Sequence, residues 1–233
     1  MKFLNGERLK VILSTNCSKV VLFDEGNILS NLHFVMFSMP GFSQQSYDKI
    51  HGFKFEKIVK NMLEIKQNFR SAGFIGMFIL AFHIYQFNVN EIQPAAEFAG
   101  QNQFEFVPFL AFINDFQRQL KYMRNELDDH ELKRASQKLF LYYFSEDRKK
   151  QRPQNYVCPQ FSKLAIDEHC NIITCCGDTT PMDKLFNVRP DDVNRWRMSS
   201  KVCRECREAG LDFLVMPPPM ENVLTFQPQP DLF

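Results

Sequence analysis

The sequence predicts an α/β fold followed by a small cysteine-rich module. Three observations carry that expectation: short continuous apolar runs alternate with segments of helical periodicity, six of the seven cysteines crowd into the last third of the chain, and a charged, proline-containing stretch, Lys149-Lys150-Gln151-Arg152-Pro153-Gln154, separates the two regions. Continuous apolar strands belong to sheets buried on both faces, and strands separated by helices pair in parallel through right-handed crossovers. An open or closed α/β barrel and a doubly wound sheet both satisfy the pattern. Either one places functional residues at the C-terminal ends of its strands.

The first strand is expected from Val11 to Thr15, which is rich in β-formers and stops at Asn16. Residues 33–39 (HFVMFSM) form a second apolar run that halts at Pro40-Gly41, residues 74–85 a third, and residues 104–113 (FEFVPFLAFI) a fourth. Their ends are Thr15-Asn16-Cys17, Ser38-Met39-Pro40-Gly41, Gln86-Phe87-Asn88 and Phe112-Ile113-Asn114. Polar groups at the ends of apolar strands suit a ligand-binding rim, and they also serve simply to cap strands. Between the runs, residues 44–69 carry Tyr47, Ile50, Phe55, Ile58, Val59, Met62, Leu63 and Ile65 at helical spacing behind an N-cap residue, Ser43, with a break at His51-Gly52. Residues 90–101 read as a second helix. Residues 115–150 read as a third, with Leu120, Met123, Leu127, Leu132 and Leu139 along one side.

At 233 residues and 45% hydrophobic content the chain can bury a substantial core, as one large domain or as a medium domain plus a small module. The expected division is 1–148 for the α/β part, 149–155 for the linker, 156–215 for the cysteine-rich module and 216–233 for a proline-rich extended tail. A net charge of +1 without long runs of one sign gives no nucleic-acid groove and no anionic membrane surface. The apolar run over residues 73–87 is too short to span a bilayer and contains His83, so a buried strand is expected there. A charged beginning and unpaired thiols fit a reducing cytoplasm.

The cysteines fall as Cys158, the group Cys170, Cys175 and Cys176, and Cys203-Arg-Glu-Cys206. About four soft sulfur ligands converging from a loop and a turn can hold a structural zinc ion or a cubane iron-sulfur cluster, and spacing alone does not choose between them. A disulfide framework is disfavoured by the odd number of cysteines. Leu164-Ala165-Ile166-Asp167 and Asn171-Ile172-Ile173-Thr174 read as hairpin arms turning at Glu168-His169-Cys170. A helical piece over 191–198 carries Trp196, and the CxxC opens a last short helix ending at Gly210. So small a segment builds little core, and a clamp joining hairpin to helix would stabilise it directly.

From Cys158 to Cys176 the chain reads CPQFSKLAIDEHCNIITCC, followed by Trp196 and Cys203-x-x-Cys206. This resembles the SPASM domain, the C-terminal cluster-binding module of many radical S-adenosylmethionine (radical SAM) enzymes. Upstream, Ser14-Thr15-Asn16 resembles a strand end of the radical SAM barrel, a TIM-like α/β barrel. Phe37-Ser38-Met39-Pro40-Gly41 with Ser46-Tyr47-Asp48-Lys49-Ile50 resembles its next strand and helix, and Asn88 to Glu91 the step after the following strand. The resemblance covers residues 9–210. It implies that Cys158, Cys175, Cys203 and Cys206 ligate an auxiliary 4Fe-4S cluster, that Ser38 reaches the ribose of S-adenosylmethionine, and that Asn16 and Asn88 share that rim. Cys176 is a neighbour that could substitute for Cys175; successive residues on a strand point to opposite faces, so only one of the pair is expected to reach the metal. Cys17 and Cys170 stand where the family usually has glycine.

One departure is decisive for chemistry. The family generates its radical at a CxxxCxxC loop, and this sequence contains no such triplet; Cys17 is the only cysteine before the linker. The resemblance begins at the family's third strand, so two βα units of about 30 residues each are expected to be absent. That leaves a partial barrel with an open sheet edge at the first strand. The family chemistry is S-adenosylmethionine-dependent radical modification, often of peptides or proteins. This chain is expected to be a truncated form inactive alone, or else a non-catalytic cluster- or zinc-binding docking module for a partner chain or peptide, where a separate chain carrying CxxxCxxC could complete the barrel. No general base stands out among His33, His51, His83, His130 and His169, and His83 in its apolar run reads as a core residue.

Overall fold

A computed structural model describes residues 10–21, 27–113, 115–141, 149–167, 169–175 and 177–214. Asn114, Glu168, Cys176 and the expected proline-rich tail lie outside the described residues. Two compact units divide the chain, with the break between Ala111 and Phe112.

In the first unit, strands β1 (Val11–Thr15), β2 (Leu32–Met39), β3 (Met77–Ile84) and β4 (Glu105–Leu110) form one parallel sheet in the order β1-β2-β3-β4. The α/β expectation is met. The order never reverses, as when successive βα units are laid side by side.

Residues in register on a parallel sheet share a face. Val35, Phe37 and Met39 pair with Phe78, Leu80 and Phe82, and all six are buried. Phe37 stacks on Phe78 at 5.8 Å, and Phe104 meets Phe37 edge-on at 5.5 Å. Helix α2 (Phe55–Ser71) adds Phe69, edge-on to Phe78, and buries Ile58, Met62 and Ile65 along one stripe. Helix α3 (Ile92–Gln101) buries Ile92, Ala95 and Ala99 at spacings of three and four. The opposite face of the sheet is barer, with Ile12 and Met77 43% and 48% exposed.

The β2–α1 connection is built by close approach. Helix α1 (Gln44–Ile50) starts at Ser43, whose hydroxyl accepts from the Ser46 amide, and stops before Gly52 at φ +65°, the break read from the sequence. A Cβ at Gly41 would lie 2.3 Å from Ser46 Cβ, so only glycine fits. The Glu91 carboxylate then accepts from the Phe42 amide at 2.5 Å, the Ser43 hydroxyl at 2.5 Å and the Ser46 hydroxyl at 2.8 Å. One side chain thus ties the end of β2 and the start of α1 to the entrance of α3.

In the second unit, the single helix expected over 115–150 is broken among the described residues, with α4 (Phe116–Met123) and α5 (Asp129–Ser136) as separate helices. Asn125 takes a left-handed φ of 57°, and Asp128 begins a new helix by accepting from the Glu131 amide. Local capping chemistry overrides the apolar stripe. Strands β5 (Ala165–Ile166) and β6 (Asn171–Cys175) form the expected hairpin, extended by a third antiparallel strand, β7 (Asp178–Lys184). Helices α6 (Pro190–Ser199), α7 (Lys201–Ala209) and α8 (Leu211–Leu214) follow. Gly210 ends α7 at φ +75°, and Leu211 and Leu214 pack on Leu120 of α4. No helix among the described residues is long and apolar enough to cross a membrane.

Glu91→Ala should destabilise the chain by about 2–4 kcal/mol in urea unfolding, because it strands partly buried donors. Glu91→Gln, which keeps one acceptor oxygen, should cost roughly half as much.

Candidate functional site

The second unit gathers four thiols from three segments. Cys158 precedes a tight turn at Pro159–Ser162, Cys175 ends β6, and Cys203 and Cys206 are one turn apart on the same face of α7. All four are free and half-buried. Burial raises the pKa of Cys158 and of Cys203, each further raised by the charge of Cys175. Burial pushes Cys206 up to about 12, with added contributions from Asp212, Cys175, Cys158 and Cys203. The sequence-predicted ligands are therefore brought into one electrostatic neighbourhood. They do not close on a single ion: among the described residues no three His, Cys, Asp or Glu side chains are placed to hold one. A tetrahedral zinc would require sulfurs about 3.8 Å apart, given Zn–S bonds of about 2.3 Å.

The other described cysteines, Cys17 and Cys170, stand aside. Cys170 is exposed in the hairpin turn, where its amide donates to Asp167 O. Cys17 is buried in the first unit, its carbonyl accepting from Asn61 Nδ2 at 2.8 Å and its thiol pushed up to about 12 by burial. Both take left-handed backbone, φ 57° at Cys17 and 58° at Cys170. That region suits glycine.

Two charged residues that sequence reasoning passed over organise the thiols. Arg197 of α6 is 1% exposed; its Nε donates to Thr174 O at 2.9 Å, and its Nη1 to Lys163 O at 2.9 Å, to Gln160 O and to Asn194 Oδ1. Those carbonyls flank Cys175 on β6 and follow Cys158, so one guanidinium joins three segments. Asp212 of α8, also buried, pairs with Arg152 at 2.5 Å and has its carboxyl pKa raised by burial. Its backbone carbonyl accepts from the Tyr156 hydroxyl. A lone Arg on a polar helix, or a lone Asp in the four-residue helix LDFL, carries no sequence signal of its partners.

The strand-end rim of the first unit is more committed to structure. Asn88 is fully buried, with Nδ2 donating to Pro40 O and His83 O at 3.0 Å each and Oδ1 accepting from the Tyr85 amide at 2.8 Å. Asn16 is exposed and accepts from the Ser18 amide in a local turn. Ser38 lies on the barer sheet face, 3.0 Å from His83 Nε2, and the His83 ring packs on Phe109 at 4.3 Å. Burial, then the charge of His51, lowers the His83 pKa to about 4.

Comparison with protein-family models, with curated proteins and with solved structures finds no match for the chain.

His83 is thus neutral at pH 7, while the unfolded chain takes up its proton near pH 6.5. A folded pKa below the unfolded one means stability is fully present above pH 6.5 and falls as pH drops towards 4. His83→Gln should remove about 2 kcal/mol of the acid-induced loss, less than the full shift because the ring is partly exposed. Urea unfolding of both proteins at pH 7.5 and pH 4.5 measures the difference.

Proposed function

We propose that the second unit is an auxiliary iron-sulfur module of the SPASM type, and that this chain does not cleave S-adenosylmethionine by itself. The observation that carries the reading is the convergence of Cys158, Cys175, Cys203 and Cys206 from a loop, a hairpin and a helix. The donor set is all sulfur, as an iron-sulfur cluster requires. The left-handed backbone of Cys17 and Cys170, where the resemblance places glycine, supports the same alignment. The unreversed strand order supports reading the first unit as an arc of a barrel.

When bound, such a cluster supplies one-electron transfer or a ligation point for substrate. The chain's own residues do the holding. Arg197 fixes the Cys158 turn and the β6 end against α6, and α7 presents Cys203 and Cys206 on one face. Thiols raised by burial release protons when they ligate, so loading is coupled to pH. The absence of CxxxCxxC from the sequence supports the catalytically silent part of the proposal. In that setting Ser38, with Asn16 on the same rim, is the residue offered to S-adenosylmethionine by a completed barrel acting on a peptide or protein.

Anaerobic reconstitution followed by iron and acid-labile sulfide analysis should give about four of each per chain. Serine at position 158, 175, 203 or 206 should at least halve the iron, and Cys170→Ser should leave it unchanged. Stoichiometric zinc without sulfide would sink the cluster reading. Reduced protein mixed with S-adenosylmethionine should release no 5′-deoxyadenosine above background, and clear turnover would overturn the second half of the proposal.

A further inference from the structure

Arg197 holds more donors than its backbone partners use. Nε and Nη1 are engaged with Thr174 O, Lys163 O, Gln160 O and Asn194 Oδ1, while the buried Nη2 has no hydrogen-bond partner among the described residues. Among the described residues no carboxylate forms an ion pair with this guanidinium. The acidic groups whose charge reaches it are the thiols of Cys203, Cys175 and Cys158. A buried guanidinium cannot shed its proton, and a buried cation without an anion is strongly destabilising. Neutral thiols are weak acceptors and offer no charge. Thiolates or sulfides accept charge-assisted bonds.

We infer that Arg197 is the counter-charge of the metal centre, its free Nη2 donating to a ligand thiolate or a cluster sulfide. The inference rests on the cluster reading above. It makes Arg197 a positioning residue that sets the redox poise: one electron taken from a mediator adds one negative charge to the cluster, and the adjacent cation favours the reduced form.

The test uses the full chain reconstituted with iron and sulfide, wild type and three variants, in mediated redox titration. At the potential that half-reduces wild type, Arg197→Gln should lower the reduced-to-oxidised ratio about tenfold, a fall of about 59 mV for a one-electron couple. Arg197→Lys, which keeps the charge, should stay within threefold. Pulsed EPR of the reduced wild type carrying 15N-arginine should show nitrogen hyperfine coupling. That coupling should vanish in Arg197→Lys and persist in Arg207→Gln, whose arginine charge also reaches Cys203. A loaded Arg197→Gln with an unchanged ratio overturns the inference, as does a loaded wild type without 15N coupling; the latter decides even where Arg197→Gln does not fold. A wild-type chain that takes up no iron and sulfide refutes the cluster reading, and the inference with it.

Discussion

The second unit depends on a guanidinium that reads backbone. The Arg197 fork takes carbonyl oxygens from the Cys158 turn and from the strand that ends in Cys175, and it does so from the helix that leads into Cys203 and Cys206. The three thiol-bearing segments are joined through these polar contacts, while the apolar cluster of Leu120, Leu211 and Leu214 joins α4 to α8. Hydrogen bonds to a buried charge are directional and stronger than neutral ones, so they set position where a hydrophobic contact would only set proximity. The Arg152–Asp212 pair does the same for the chain that enters the unit, tying it to α8.

The same burial that makes these contacts strong makes the thiols reluctant acids. Cys158, Cys203 and Cys206 all have raised pKa values, burial being the first cause in each case. Asp212 adds negative charge beside Cys206 and Arg197 adds positive charge beside Cys203, Cys175 and Cys158, so the environment is graded across the set. In the first unit, the polar atoms at the strand ends serve a different purpose. Asn88 and Glu91 are consumed in joining consecutive βα units, and Ser38 is left on the barer face beside a neutral His83.

Much of the first unit was legible because its signals are local. Apolar runs ended by Asn16 and by Pro40-Gly41 mark strands, and Ser43 with the break at Gly52 marks two helices, so short-range chemistry and long-range packing agree. The stripe over 115–150 misled because an apolar face continues across a gap that Asn125 and Asp128 enforce through backbone conformation. Strand β7, with the sequence DTTPMDK, has no apolar alternation and forms only because β6 offers an edge. The cysteines marked a candidate site by their spacing. Arg197 did not, because its partners are carbonyls 23 to 37 residues away and a carbonyl has no letter in a sequence.

The two units also differ in the order in which they can form. Each strand of the first sheet pairs with its nearest strand in sequence, so βα units can add one after another as the chain lengthens. The second unit closes on contacts of 34 residues, from Arg197 to Lys163, and 60 residues, from Arg152 to Asp212. During synthesis the Cys158 turn and the hairpin therefore emerge before the arginine that fixes them, and Cys158 and Cys175 stay accessible to solvent until α6 follows. Late closure leaves two of the thiols waiting on an arginine that has yet to be made, with Cys203 and Cys206 arriving only after it.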